Sequence, residues 1–284
     1  MTVYKVKKVY SNNIVKAKDS DNQEIILLGK GIGYRRGSND IIPPALIEKG
    51  FLIKDTKEQH LYEQLLMSTS PKLIEISYDI ITFIQSEVQT ELSEHIHVAL
   101  TDHIAFLVRR YKTNSSIINP FSLEIEQLYP KEAKIAQQVV SMLNERLHIA
   151  LPQSEVSFIV LHIVSSITNE SMENIQMTSR LIKKITGIIE EQIHHEIDKK
   201  SLSYSRLVTH IRFMIERTHR KEKISIPEEL AGIIKENYGE CYSIAYKAGK
   251  IVQNKLQTQI DFSEIILLSL HIYRFTDSSE SEGR

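Results

Sequence analysis

The chain has 284 residues, 42% of them hydrophobic and 25% charged, and a formal net charge of −1. This is the make-up of a globular protein of two or three domains, and it excludes a disordered, collagen-like or disulfide-stapled chain. With a single cysteine, Cys241, no apolar run long enough to cross a bilayer and no apolar signal core at the N-terminus, the expected setting is the reducing cytoplasm, without membrane insertion.

Charge is unevenly placed. Residues 1–55 hold ten Lys/Arg against six Asp/Glu, a net of +4, so the remainder carries −5. A small basic module on a mildly acidic body suits a reader of polyanions joined to something else. The module is written in short runs rich in Val, Ile and Tyr, "VYKVKKVY", "NIVKAK", "EIILLGK" and "GFLIKD", parted by the turn-forming "DSDNQ", "GSND" and "PP". That pattern predicts a small antiparallel β domain over 1–57.

From residue 56 onward the periodicity is helical. Pro71 should separate a connecting helix in a 58–72 linker from the first helix of the next domain, and Pro120, Pro130 and Pro152 should punctuate later helices. The polar stretch "TNESMENIQMTS" suggests a linker over 171–179 between helical domains at 73–170 and 180–277, and the tail 278–284 should be disordered. The expected fold is therefore multidomain: a small antiparallel β domain followed by two homologous all-α bundles.

The homology lies in the sequence itself. "LTDHIAFLVRR" (100–110) returns as "LVTHIRFMIER" (207–217), and residues 129–163 align without a gap on 238–272. The second alignment pairs Glu155 with Glu264 and His162 with His271, and the first pairs His103 with His210. A helical module of about a hundred residues thus occurs twice. Two copies make a tandem pair and not a solenoid.

Four of the eleven histidines fall at repeat-equivalent positions. Leu or Met would fill a core equally well, so four kept imidazoles imply a use for the nitrogen. Metal binding would want further ligands, and no Cys/His cluster accompanies them. His95 with His97, and His194 with His195, have no counterparts and at helical spacing do not converge, so they read as surface or structural residues. No nucleophile elbow, P-loop or kinase signature is present, and "GKGIG" lacks the spacing and following helix of a nucleotide loop. No catalytic residue, metal ligand or cofactor is assigned. The remaining use is as phosphoryl acceptor, which would place nearly two negative charges on a neutral ring.

At these residues, together with "SNNIV", "LLGKGIGY", "GKGIGYRRG" and "HIHVALTDHIAFLVRR", the whole chain resembles the BglG/SacY/LicT family of transcriptional antiterminators, and within it the glucose-operon branch. The resemblance implies an RNA-binding co-antiterminator domain followed by two phosphotransferase-system regulation domains, PRD1 and PRD2. It makes His103 and His162 the phosphorylatable histidines of the first and His210 and His271 those of the second. Asp102 beside His103 would orient that ring, a support that Thr209 cannot give His210. The implied RNA contacts are Asn13, Gly29, Lys30, Gly31 and Tyr34, with Lys8, Arg35 and Arg36 as electrostatic neighbours. Glycines would let backbone approach RNA, Tyr34 would stack on an unpaired base and the cations would neutralise phosphates. Ser11 and Arg35 depart from residues common in relatives. The implied partners are an RNA hairpin in an mRNA leader, a second copy of the chain, and the phosphoryl donors HPr and a sugar-specific enzyme II. The chain would be their substrate and not an enzyme. A DNA-binding activator with the same repeats is the alternative, although residues 1–54 show no helix-turn-helix pattern.

Overall fold

A computed structural model describes residues 3–52, 56–113, 115 and 117–276. Lys54 and the tail 278–284 lie outside the described residues. The chain divides into two compact units, one of residues 1–118 with 134–170, the other of 119–133 with 171–284.

The first unit opens with five strands: β1 (Tyr4–Ser11), β2 (Ile14–Lys18), β3 (Glu24–Leu28), β4 (Ile41–Ile42) and β5 (Lys49–Phe51). They form one antiparallel sheet in the order β4-β1-β2-β3-β5. The β2–β3 turn is held by Asp19, whose Oδ1 accepts from the N–H groups of Asp21 and Gln23. Side chains of β2 and β3 alternate between two covered faces, which is why these strands are apolar almost throughout. Val6, Val15, Ala17, Leu27, Ile32 and Ile42 make one small core. On the opposite face Ile14, Ile26 and Leu28 pack with Tyr62, Leu65, Leu66 and Ile74 of helices α1 (Thr56–Ser68) and α2 (Pro71–Glu87). Lys16 shares the register of Ile14 and is buried, its ammonium paired with Glu24 and Glu63. Burial without those carboxylates would be costly.

The unit is completed by α3 (His95–Lys112), most of α5 (Pro130–Leu147) and α6 (Ser154–Thr168). Pro71 occupies the first turn of α2 behind Ser70, whose hydroxyl accepts from the Leu73 N–H, so α1 and α2 separate where the sequence indicates. The second unit contains α4 (Ser122–Leu128), α7 (Met172–Ile193), α8 (Leu202–Arg220), α9 (Glu228–Asn237), α10 (Gly239–Leu256) and α11 (Phe262–Thr276). Its core includes Ile182, Ile185, Tyr204, Leu207, Ile211, Ala245, Val252 and Leu268.

Short α4 is built into that second unit. Leu128 enters its core, and Gln127 donates to the Lys199 carbonyl (3.0 Å) while accepting from the Ser205 hydroxyl (2.8 Å). The two units follow one scheme: α1 packs on α3, and α4 packs on α8, the repeat counterpart of α3.

The polar stretch 171–179, expected as a linker, is instead the opening of α7. The Ser171 hydroxyl accepts from the Asn174 N–H (3.2 Å), and Ile175 and Ser179 put a buried stripe at helical spacing among the polar residues. A cap and an i, i+4 stripe suffice for a helix whose other faces are polar. Ser171→Ala should accordingly cost about 0.5–2 kcal/mol of stability, measured by urea unfolding followed by far-ultraviolet circular dichroism.

Candidate functional site

The four repeat-equivalent histidines form two pairs. On α3, Leu100, Ile104 and Leu107 are buried and His103 lies at the edge of their stripe, its side chain 12% exposed. Arg110 follows seven residues later, two helical turns along the same face. On α6 the same spacing separates Glu155 from His162. Where α3 and α6 pack, the rings of His103 and His162 meet with centroids 4.9 Å apart. Glu155 is buried between His103 and Arg110: it pairs with the Arg110 guanidinium, and its Oε2 stands 3.5 Å from His103 Nε2.

The second unit repeats the constellation. His210 and Arg217 on α8 face Glu264 and His271 on α11. The imidazoles stack at 4.7 Å. Arg217 binds Glu264 through two parallel contacts, Nε to Oε1 at 2.5 Å and Nη2 to Oε2 at 3.0 Å. Glu264 Oε2 is 3.9 Å from His210 Nε2. An arginine fork on a buried carboxylate is the geometry that makes burial of such a charge tolerable.

Burial keeps three of these rings, His162, His210 and His271, neutral. The imidazole of His162 is pushed down to about 3, chiefly by burial and then by His103. Burial likewise lowers His210 and His271 to about 4, His271 being further opposed by His210. A neutral imidazole with a free lone pair is a nucleophile, and the protonated form is not.

The carboxylate serving His103 is therefore Glu155 and not Asp102, which is exposed. Thr209 consequently leaves no gap in the second copy, because Glu264 supplies there what Glu155 supplies in the first. Neither Glu nor Arg was singled out by residue type, yet both carried a signal: the alignment pairs Glu155 with Glu264 and Arg110 with Arg217. The unrepeated histidines differ. His95 is exposed with Nδ1 2.9 Å from Glu58, and His97 lies against Tyr62 and Tyr78, lowered to about 4 by burial. His194 ends α7 in a left-handed conformation. Among the described residues no group of three or more His, Cys, Asp or Glu could hold a metal ion.

Of the residues expected to meet RNA, all but Lys8, which lies on β1 opposite Lys16, gather around one irregular turn after β3. Asn13 Oδ1 accepts from the Gly31 N–H (3.1 Å), and the Gly29 N–H donates to the Asn13 carbonyl (3.1 Å), tying the β1–β2 turn to residues 29–31. Gly31 has φ of +73°, and a Cβ on Gly29 would lie 1.8 Å from the Leu46 carbonyl oxygen. Gly29 is thus required by the fold itself. Lys30 is exposed, its N–H donating to Glu48 Oε1. Tyr34 is 55% exposed with the Arg35 guanidinium 5.3 Å from its ring centroid. Arg36 donates to the Ile41 carbonyl (3.0 Å), which closes the loop. Lys8 is exposed, with Nζ 5.1 Å from the Tyr10 ring and 3.7 Å from Met67 Sδ. Lys7, Lys16 and Lys49 are spent on Glu24, Glu63 and Asp79, whereas among the described residues Lys30, Arg35 and Arg36 at this turn have no carboxylate partner.

Comparison with known proteins separates the basic module from the two helical repeats. Residues 4–60 match the CAT RNA binding domain family, and residues 78–166 and 183–275 each match the PRD domain family. The chain is 36% identical over 282 residues to Protein GlcT of Staphylococcus haemolyticus (strain JCSC1435), covering 99% of each chain. It is also 36% identical over 279 residues to Protein GlcT of Staphylococcus aureus (strain JH9), covering 98% of each. A solved structure described as the crystal structure of GlcT CAT-PRDI matches with 42% identity and a TM-score of 0.54, over 59% of this chain and 99% of that one.

The depressed histidines have a consequence for stability. Folded His162 titrates near 3, His210 and His271 near 4, against an ordinary value of 6.5. Between those limits the unfolded chain binds more protons than the folded one, so folding stability falls as pH drops from about 6.5 toward 3–4. His162→Gln should flatten that fall by up to about 1.4 kcal/mol per pH unit, the slope of one proton, read from urea unfolding at several pH values. A slope equal to wild type would contradict the buried neutral ring.

Proposed function

This chain belongs to the BglG/SacY/LicT family of CAT–PRD transcriptional antiterminators, and on that premise we propose that it binds an RNA hairpin in the leader of a sugar-phosphotransferase transcript, that of the glucose system, and prevents the terminator hairpin from forming. Its histidine pairs accept phosphoryl groups from HPr and a sugar-specific enzyme II, and the phosphates decide whether the chain engages RNA. Supporting this most directly is the recurrence of one His–His–Glu–Arg constellation in both PRD matches, behind a domain whose exposed turn carries Tyr34, Arg35 and Lys30.

The chemistry is consistent at each end. A β module of some fifty residues offers little surface, so a homodimer doubles the contact with an imperfectly symmetric stem. At the other end, a dianionic phosphate added beside a buried carboxylate cannot leave the packing of α3 on α6, or α8 on α11, unchanged, because like charges in a low-dielectric setting repel strongly. The donors supply catalysis and the chain is their substrate. Its setting is the cytoplasm, and among the described residues no helix is long and apolar enough to cross a membrane.

The test is a gel shift of the full chain on a leader hairpin with unpaired bases and on duplex DNA of the same sequence. RNA should be bound preferentially, with affinity falling as salt rises through counterion release. Tyr34→Ala should lose about 1–3 kcal/mol of binding if the ring stacks on a base. Equal binding of the DNA, or full affinity in the Tyr34 variant, would overturn the RNA assignment.

A further inference from the structure

In each pair one ring nitrogen is closed off, and it is a different nitrogen on the two rings. Among the described residues, Nε2 of His103 and Nε2 of His210 are buried without a hydrogen-bond partner, each turned toward its glutamate at 3.5 and 3.9 Å. On the facing helices it is Nδ1 of His162 and Nδ1 of His271 that is buried without a partner among the described residues. The pattern is the same in both units, although the two copies differ at most positions between these residues. A phosphoryl donor has to bring phosphorus in line with a nitrogen lone pair, and a nitrogen sealed in the helix interface cannot be approached that way.

We propose that the two kinds of histidine accept phosphate on opposite nitrogens: His103 and His210 on Nδ1, His162 and His271 on Nε2. This rests on the phosphoryl-acceptor reading above and specifies its chemistry. Glu155 and Glu264 act as positioning residues. A carboxylate facing Nε2 favours the tautomer with hydrogen on Nε2, which leaves the lone pair on Nδ1. That lone pair attacks phosphorus, the bond between phosphorus and the donor's phosphorylated side chain breaks, and its electron pair stays with the donor side chain. The acceptor keeps its Nε2 hydrogen and becomes an Nδ1-phosphoryl imidazolium, whose positive charge forms opposite the glutamate. Arg110 and Arg217 hold the glutamates in place. On His162 and His271 the hydrogen sits on the buried Nδ1, and Nε2 is the nucleophile.

The two products are distinct compounds that survive alkali. The full chain is labelled with radioactive phosphate through phosphorylated HPr and a glucose-type enzyme II, then cleaved at alkaline pH. Each labelled peptide is sequenced, hydrolysed in alkali and chromatographed against the two phosphohistidine standards. The expected result is the Nδ1 isomer wherever His103 or His210 is labelled and the Nε2 isomer wherever His162 or His271 is labelled. The opposite isomer at any of these positions overturns the proposal and leaves the phosphoryl-acceptor reading standing. Label on none of the four overturns that reading, and the proposal with it.

Discussion

A carboxylate sealed between two helices has to be neutralised, and in both units of this protein the same arginine does so. Glu155 and Glu264 are each about 1% exposed. Their pairing with Arg110 and Arg217 fixes how α6 lies on α3 and how α11 lies on α8. Removing either arginine would strand a buried carboxylate, a loss of about 3–5 kcal/mol, far above the value of an exposed pair. Once the pair is set, the i, i+7 spacing on each helix dictates the rest: His103 is carried to His162 and His210 to His271 at under 5 Å. The histidine pairs are a geometric consequence of the ion pair beside them.

The sheet and the first pair are mechanically close. α1 packs on one side against Ile14, Ile26 and Leu28 of the sheet and on the other against α3, which bears His103. Lys16–Glu63 and Lys49–Asp79 add ion pairs between the sheet and α1 or α2. A charge placed on α3 therefore has a single helix between it and the nucleic-acid module. The second unit has α4 packed on α8 as α1 packs on α3 in the first, and the two covering helices differ in what they are joined to.

Much of this was legible in the sequence because it was written twice. The gapless alignments exposed the four histidines, and the β-rich basic stretch and its turns are local signals that the strands obey. What the sequence reading misplaced depended on long-range contact. Asp102 is adjacent to His103 in the chain but exposed on the helix, whereas Glu155 arrives from another helix 52 positions away. The polar look of 171–179 concealed an opening turn whose cap and two buried positions are enough. Gly29 resembled a residue kept free for a ligand, and its constraint is the carbonyl of Leu46, brought back by the loop that leads to β5.

The claim that the buried glutamates set the chemistry of the rings is tested most directly on the unmodified protein. Long-range proton–nitrogen correlation spectra of the full chain, with ¹⁵N-labelled histidine at neutral pH, report which nitrogen of each ring carries hydrogen. His103 and His210 should both carry hydrogen on Nε2 and not on Nδ1, and the Nε2–H signature should be lost from His103 alone in Glu155→Gln. Hydrogen on Nδ1 of either ring in the wild-type chain would contradict the account, because the lone pair would then point at a carboxylate and the nitrogen offered to the donor would have none.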